Sequence, residues 1–394
     1  MKKIAIVNAE ATIGGVESAL ISMLMSIDYS NYEITLYTNI RNNPLKMDIP
    51  KSLNEKIKIV DSCKFGVRNL AKLFLRTGKY IRFLDLCFIY LTSKTKKRDT
   101  ERMSFFARKL FVSEEIYDCA IAYKMGHLTT CFTLYQLQAK TKVYWVHGLL
   151  TDAPNCDPIY KEWVKQYDHL FAVSDDVVTQ TIQEIPEIEG KISTFLNIMD
   201  ADQIREKSTL LHDEVQTEMK SEGRLKLLTI GRFREEKNIR SIPYLCNKLR
   251  EKLVSFCWYL IGYGTDEELI RDEIRKYALE DCCIILGKKE NPYPYIAACD
   301  VYIQPSLHEG RSIAVVEAQI LGKPVIITNY ATAKSQLHDG VDGLIVPMEP
   351  GACAEAIANI LKDKELLLKI AEGTKQFDYC NKDEIKKLYA LIED

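Results

Sequence analysis

Short apolar runs alternate with amphipathic stretches along the N-terminal half of the chain. The runs KIAIVN, YEITLYT, DCAIAYK, KVYWVHG and HLFAVS each have the length of a buried strand. Between the first two, VESALISMLMSI carries apolar residues at helical spacing and follows a glycine turn. Strands that alternate with helices predict a parallel sheet covered by helices on both faces.

The same alternation restarts at Arg224, with clearer turns between the elements. Strands are predicted at LKLLTIG, SFCWYLIG, CCIILG, DVYIQPS, KPVIIT and DGLIVP, and helices such as TDEELIRDEIRKYAL lie between them. The charged stretch from about Asp202 to Gly223 has no strand pattern and is predicted to be a linker. The pattern predicts two doubly wound α/β domains of Rossmann type, residues 1–205 and 220–379, facing each other across a cleft.

Composition fits this organisation. A chain of 394 residues suits two domains, and 47% hydrophobic with 27% charged residues is typical of a soluble globular protein. The twelve cysteines are scattered without a CxxC pair, which favours buried thiols in a reducing compartment. The first apolar stretch is too short for a signal peptide, so we expect a cytoplasmic protein. No cluster has metal-ligand spacing, and we expect no bound metal.

The net charge of -2 conceals a strongly basic segment, residues 64–109, with thirteen Lys and Arg against three Asp and Glu. Phe, Leu and Tyr are mixed with these cations, which favours an amphipathic segment on an anionic membrane surface. The apolar run Tyr80–Leu91 is short and contains Arg82 and Asp85, so a transmembrane span is not expected. The alternative is a solvated basic face over an ordinary helix. No motif for nucleic-acid binding accompanies the segment, and we expect no nucleic-acid partner.

Two glutamates, Glu309 and Glu317, stand eight positions apart at the predicted start of a helix, just beyond the strand DVYIQPS. Backbone N–H groups at a helix start can bind a phosphate; the residues concerned are Gly310, Arg311, Ser312 and Ile313. Carboxylates beside a diphosphate would be repelled by it, so they would instead accept hydrogen bonds from flanking hydroxyl groups, those of a sugar and a ribose. The alternative, two ordinary glutamates near a helix start, is about equally consistent with the spacing.

A second candidate motif, GRFREEKNI, follows the first strand of the C-terminal half. Gly231 would allow a ligand close to the backbone. Arg232 and Lys237, five positions apart, could converge on one anion. The alternative is a solvated basic loop.

Two further candidates lie in the N-terminal half. Gly14 and Gly15 follow the first strand and resemble part of a dinucleotide fingerprint, but the full GxGxxG is absent and the second strand ends without an acid for a ribose. This turn could approach a phosphate or be a plain connection. His147 closes the strand KVYWVHG, where a histidine can bind a ligand or serve the structure alone, and His127 has a comparable position with weaker support.

In their order and spacing, the segments EGRSIAVVEA, GRFREEKN and TFLNIMD, the early GG and the strand-end VHG resemble the retaining GT-B glycosyltransferases of family 4, the glycosyl transferases group 1, over nearly the whole chain. The resemblance implies the transfer of a sugar from a UDP- or GDP-sugar, without cofactor or metal. The acceptor would be a saccharide, lipid-linked if the basic segment binds the inner face of the membrane, as in the synthesis of capsule, exopolysaccharide or O-antigen. The chain departs from the family at Arg311-Ser312, where many members have Phe-Gly, and at NIMD, where they have NGVD.

The resemblance also implies roles for the acidic and basic residues. Glu309 would bind hydroxyl groups of the donor sugar and Glu317 the ribose, while Arg232 and Lys237 would neutralise the leaving diphosphate. No residue is assigned as a nucleophile, and the leaving phosphate is expected to act as the base. Replacing Glu309 or Lys237 by alanine is expected to abolish transfer and leave the protein folded, because both positions lie in loops.

Three further features take implied roles. Gly15 would approach the donor from the N-terminal domain, His147 would bond a hydroxyl of the transferred sugar, and the last helix, within residues 380–394, would pack on the N-terminal domain. Two alternatives remain: a sugar-nucleotide epimerase of similar fold, and a catalytically silent protein that binds nucleotide sugars.

Overall fold

The computed structural model describes residues 1–9, 14–38, 49–61, 84, 113–150 and 158–393. Contacts divide the chain into two units, Met1–Ile198 with Lys382–Asp394, and Met199–Asn381. The basic segment 64–109, apart from Leu84, lies outside the described residues. None of the helices in the described ranges is both long and apolar enough to span a membrane.

The first unit is built on a parallel seven-stranded sheet in the order β3-β2-β1-β4-β5-β6-β7. Its strands are β1 (Lys2–Asn8), β2 (Tyr32–Thr38), β3 (Ile57–Asp61), β4 (Ile116–Ala122), β5 (Gln138–Val146), β6 (His169–Ala172) and β7 (Ile192–Thr194). Its described helices before residue 198 are α1 (Gly15–Met25), α2 (Lys51–Asn54), α3 (His127–Tyr135), α4 (Pro158–Val164) and α5 (Asp175–Glu184). The edge strands β3 and β7 escape the sequence pattern because they are short and only partly buried.

The second unit is built on a parallel six-stranded sheet in the order β10-β9-β8-β11-β12-β13. The strands are β8 (Leu225–Ile230), β9 (Phe256–Ile261), β10 (Cys283–Gly287), β11 (Val301–Gln304), β12 (Val325–Thr328) and β13 (Leu344–Val346). The helices are α6 (Ala201–Ser208), α7 (His212–Glu218), α8 (Ile242–Glu251), α9 (Glu267–Lys276), α10 (Tyr293–Ala298), α11 (Ile313–Ile320), α12 (Ala333–Gln336), α13 (Pro350–Lys362) and α14 (Lys364–Gly373). The predicted fold class, two parallel-sheet α/β units of Rossmann type, is confirmed.

The stretch predicted to be a linker is folded instead. It forms α6 and α7, which belong to the second unit. Val215 of α7 and Met219, the residue directly after this helix, are buried in an apolar cluster with Tyr295. Ile204 of α6 is buried in a second cluster with Val316. Each helix packs only one or two apolar residues against its neighbours. Because the other positions are mostly polar or charged, the sequence shows no helical periodicity here.

The helix α15 (Ile385–Glu393) belongs to the first unit. Ile385, Leu388 and Ile392 lie on one face and are buried in the core cluster of that unit. On the same helix, the ring of Tyr389 stacks on Tyr32 at 4.4 Å. The core of the first unit is therefore completed by residues from the far end of the sequence.

Two residues beyond the end of helix α8, Leu253 has a left-handed backbone, at φ 58°. The N–H of Val254 donates to the carbonyl of Leu249, the hydrogen bond of a helix C-cap that favours glycine. Because the Leu253 side chain is 91% exposed, it contributes little packing. We expect Leu253→Gly to raise the free energy of unfolding by about 1 kcal/mol, measured by urea unfolding. Leu269→Gly, at an exposed leucine inside α9, should lower it by about the same amount.

Candidate functional site

Two loops meet at the carboxyl edge of the second sheet, where ligands bind in folds of this kind. One follows β8 and contains Gly231, Arg232 and Lys237; the other, residues 305–312, follows the neighbouring strand β11. The backbone N–H groups of Leu307 and His308 donate to the carbonyl of Glu236 at 2.9 and 3.3 Å. The two motifs that the sequence singles out in this half of the chain therefore lie side by side.

The centre of this site is an ion pair between Lys237 and Glu309. The Lys237 ammonium lies 2.7 and 2.6 Å from the two carboxylate oxygens of Glu309, and the Ser306 hydroxyl donates to Oε1 at 2.7 Å. The Glu309 side chain is only 5% exposed. Removing Lys237 would leave a buried charge without its cation, which destabilises a protein. We still expect Lys237→Ala to leave the protein folded, but with a lower free energy of unfolding.

Three polar residues behind Glu309 were not identified from the sequence. The Tyr302 hydroxyl donates to the side-chain oxygen of Gln304 at 2.7 Å, and the amide of Gln304 donates to the Ser306 hydroxyl at 2.8 Å. These residues are buried at alternate positions and therefore lie on one face of the extended chain. Polar residues at every second position of an otherwise apolar run are the signal that could have revealed them. They hold the Glu309 carboxylate in place from the protein interior.

The glycines that the packing of the first loop requires are not the one that the sequence singled out. A Cβ on Gly231 would make only ordinary contacts, the nearest being 3.5 Å from the Ile239 side chain. A Cβ on Gly262, after β9, would lie 1.9 Å from the carbonyl oxygen of Gly231, and one on Gly264 would lie 2.2 Å from that of Phe233. The GYG at residues 262–264, which starts at the last residue of the predicted strand SFCWYLIG, is thus the part of this edge that requires glycine, because the Gly231–Phe233 backbone packs directly on it.

The start of α11 provides fewer anion-binding groups than predicted. The backbone N–H of Ser312 donates to the side-chain oxygen of Gln336 at 2.6 Å, so this N–H is not available to a phosphate. The Arg311 guanidinium donates to the carbonyl of Ser335 at 3.0 Å. Gln336 is buried and satisfies an N–H that the helix itself leaves without a partner. Gly310 and Ile313, on either side, are partly buried in the same loop and helix start.

Glu317 belongs to α11, and its side chain is buried. Burial raises the pKa of its carboxyl group to about 7, and a hydrogen bond with the Tyr293 side chain limits the rise. The carboxyl group is therefore close to half-protonated near neutral pH.

This raised pKa predicts a pH-dependent effect of Glu317→Gln on stability. The folded protein holds the proton up to about pH 7, whereas the unfolded chain releases it near pH 4.5, so Glu317 lowers stability as the pH rises between these values. Below pH 4.5 we expect Glu317→Gln and wild type to have the same free energy of unfolding. Above pH 7 we expect that of Glu317→Gln to be higher, on the order of 2–3 kcal/mol, measured by urea unfolding. Glu355→Gln, at an exposed position on α13, is the surface control. A constant difference at every pH would contradict the assignment.

The remaining candidates belong to the first unit. Gly14 precedes α1 in an extended conformation and Gly15 begins the helix, at the carboxyl end of β1. His147 follows β5, and its Nε2 lies 2.6 Å from the carbonyl oxygen of Tyr123. A carbonyl only accepts, so Nε2 carries the proton and Nδ1 is left as an acceptor. Burial lowers the pKa of His147 to about 4, which keeps the ring neutral at physiological pH.

The family of the second unit can be identified from its sequence. Residues 213–377 match the family described as glycosyl transferases group 1. This domain belongs to that family. The Lys237–Glu309 pair, Gly231 and Glu317 all lie within the group 1 domain.

Two curated relatives match parts of the chain. The amylovoran biosynthesis glycosyltransferase AmsK of Erwinia amylovora is 29% identical over 157 residues, which cover 38% of this chain and 36% of AmsK. The putative glycosyltransferase EpsF of Bacillus subtilis strain 168 is 33% identical over 130 residues, which cover 33% of this chain and 34% of EpsF. The matched regions thus span about a third of each relative.

The fold extends beyond the group 1 domain. The crystal structure of Anabaena HepE in complex with UDP-glucose aligns with a TM-score of 0.71 and 16% identity, over 99% of this chain and 100% of HepE. At this identity the likeness concerns the fold. The chain therefore has the GT-B fold, of which the group 1 domain is the C-terminal part.

Proposed function

We propose that the protein is a retaining glycosyltransferase of family 4 that transfers a sugar from a nucleotide diphosphate sugar to a saccharide acceptor. The observation that carries the proposal is the Lys237–Glu309 pair, a cation held against a buried carboxylate at the carboxyl edge of a group 1 domain. A diphosphate needs the cation, and the hydroxyl groups of a sugar need the acceptor oxygens. One site offers both.

In this proposal each charged residue acts on one part of the donor. Lys237 and Arg232 bind the diphosphate, Glu309 orients the sugar through its hydroxyl groups, and Glu317 accepts a hydrogen bond from the ribose. Gly231 lets the diphosphate approach the backbone. The pair of fixed cations supplies positive charge without a metal ion.

Transfer then follows from the charge at this edge. The bond between the anomeric carbon and the phosphate oxygen breaks, and its electron pair moves to the diphosphate, where Lys237 and Arg232 stabilise the added charge. The acceptor oxygen forms a bond to the anomeric carbon on the same face and gives its proton to the leaving phosphate. No protein nucleophile takes part, and Glu309 orients the donor.

The first unit contributes its own groups to the proposal. The Nδ1 atom of neutral His147 accepts a hydrogen bond from a hydroxyl of the transferred sugar, since Nε2 is used by Tyr123. Gly14 and Gly15, after β1, allow the donor close to the backbone.

For the donor and the acceptor, the relatives supply the support. HepE was crystallised with UDP-glucose, which favours a UDP-sugar over a GDP-sugar. The name of AmsK refers to amylovoran biosynthesis, and two further relatives are named as putative colanic acid biosynthesis glycosyltransferases. We therefore propose a role in the synthesis of a bacterial surface polysaccharide. The acceptor is a lipid-linked saccharide reached from the cytoplasmic face, where the basic segment 64–109 binds anionic lipid.

A ligand panel tests the proposal. The thermal unfolding of wild type is followed in EDTA with UDP-glucose, UDP-galactose, UDP-N-acetylglucosamine and GDP-mannose. We expect stabilisation by one nucleotide class, about 2.7 kcal/mol at a hundredfold excess over Kd, and its loss in Glu317→Ala. The protein is then incubated with the selected donor and a membrane extract. We expect release of the nucleoside diphosphate and formation of a new glycosidic bond. An isomerised nucleotide sugar without release would instead indicate an epimerase, and binding without turnover a silent protein.

A further inference from the structure

A short segment of the second unit, residues 332–336, is tied to the loop that carries Glu309. The Thr332 hydroxyl donates to the backbone carbonyl of Glu309 at 2.8 Å. The Gln336 side chain accepts from the N–H of Ser312 at 2.6 Å and donates to the carbonyl of Ser312 at 3.4 Å. Arg311 of the loop donates to the carbonyl of Ser335. We call residues 332–336 the brace.

Other contacts hold the first part of the loop and the Glu309 side chain: the N–H groups of Leu307 and His308 donate to the carbonyl of Glu236, and Lys237 pairs with Glu309. Residues 305–312 lie between β11 and α11 and form neither helix nor strand. The contacts of Thr332 and Gln336 reach the backbone of the loop, so they fix the course of the chain between Glu309 and Ser312. Thr332 and Gln336 are both buried, 1% and 3% exposed, so water does not replace these hydrogen bonds.

The two ends of the brace act on different points of the loop, its middle at Glu309 and its last residue, Ser312. Thr332 holds the residue whose carboxylate pairs with Lys237, whereas Gln336 holds the residue that precedes α11, the helix of Glu317. In the proposed function the first end faces the sugar and the second faces the nucleotide. A change at each end should therefore affect a different part of the same ligand.

We propose that Thr332 and Gln336 are positioning residues of the donor site, Thr332 for the sugar through Glu309 and Gln336 for the nucleoside diphosphate through Ser312. This inference rests on the proposed function. Neither side chain needs to touch the donor. Each sets where the loop places the groups that do.

The sugar end is tested with Thr332→Val, which removes the hydroxyl at nearly constant volume. Calorimetry gives the affinities for UDP and for UDP-glucose, with GDP and GDP-mannose used if the panel selects a GDP-sugar. We expect the UDP affinity to stay within twofold, while the preference for the sugar nucleotide over UDP falls at least fivefold and kcat at least tenfold. Thr332→Ser, which keeps the hydroxyl, should restore both.

The matched control is Thr374→Val. Thr374 is equally buried, and its hydroxyl donates to the carbonyl of Ala371 at 2.7 Å, away from the loop. Loss of the Thr374 hydroxyl should lower the melting temperature about as much as loss of the Thr332 hydroxyl. It should leave kcat and the affinities for UDP and UDP-glucose unchanged. Equal kinetic losses in the two valine variants, or equal losses of UDP and UDP-glucose affinity in Thr332→Val, would overturn the role of Thr332.

The nucleotide end is tested with Gln336→Met, which keeps the length of the side chain and removes its polar atoms. We expect UDP affinity to fall at least fivefold, with a similar fall for UDP-glucose, so that the preference between them is unchanged. Gln319→Met is the control, because Gln319 is also buried and donates to a backbone carbonyl, that of Asp342. Unchanged UDP affinity in folded Gln336→Met would contradict this half of the proposal. The binding of donor by wild type tests the proposed function, and only the differences between variants test the brace.

Discussion

Replacing Lys237 by methionine is expected to lower the rate of sugar transfer by about 10²–10³-fold and the free energy of unfolding by about 1–3 kcal/mol. The rate falls because the leaving diphosphate loses a fixed cation. The stability falls because the carboxylate of Glu309, 5% exposed, loses its ion-pair partner, while the partial exposure of Lys237 limits the loss. Activity is measured by nucleoside diphosphate release, and stability by urea unfolding.

A double-mutant cycle separates the two effects. Glu309→Gln alone should also lower transfer by about 10²-fold, because the sugar loses a charged acceptor. In the double variant Lys237→Met with Glu309→Gln, neither side chain of the pair is charged, so stability should recover towards that of Glu309→Gln while transfer stays low. The control is Lys276→Met, since Lys276 contacts both carboxylate oxygens of Glu273 on the surface. If the stability losses of the double variant are additive, the ion pair does not protect the fold.

Gly262→Ala is expected to destabilise the second unit by about 3 kcal/mol or more. Gly262 has φ 150°, and the added Cβ would lie 1.9 Å from the carbonyl oxygen of Gly231. The backbone of the Gly231–Phe233 loop must shift to admit it, and the loop would carry Arg232 with it. We therefore also expect at least a tenfold loss of UDP affinity, measured by calorimetry in whatever fraction remains folded.

Two other glycines serve as controls for this result. Gly340 has φ 77° with no atom within 4 Å of an added Cβ, so Gly340→Ala should show backbone strain alone, about 1 kcal/mol. Gly231→Ala should leave stability nearly unchanged, because the added Cβ makes ordinary contacts. It should lower the affinity for UDP if the diphosphate approaches that backbone. Equal stability losses in Gly262→Ala and Gly340→Ala would show that the overlap with Gly231 is relieved without cost.

The fold was accessible from the sequence because its main signal is local. Each central strand is a short apolar run between turns, and such runs can be read without knowing what they pack against. The edge strand β7 and the helix α7 were missed for the opposite reason. β7 is three residues long, and α7 displays mostly polar residues, with only Val215 of the helix buried.

Some residues of the site were likewise identified from the sequence, and others were missed. Lys237 and Glu309 were identified because each follows a predicted strand, and the adjacency of β8 and β11 brings them together. Gln336 was missed because its contact with Ser312 joins residues 24 positions apart that no spacing rule relates. The same contact explains why the N–H of Ser312 was wrongly expected to be free. The proton position on His147 also depends on a distant carbonyl, that of Tyr123, which the sequence does not display.

The contribution of α15 to the first unit has a consequence for how the protein can be produced in pieces. The second unit is one uninterrupted stretch, Met199–Asn381, whereas the first is assembled from residues on both sides of it. During synthesis, the core around Ile4 and Leu388 cannot close until α15 has been translated. A fragment ending near Ile198 would expose the apolar surface that α15 covers and would aggregate. Supplying α15 after Ile198 through a short engineered connection should give a soluble first unit.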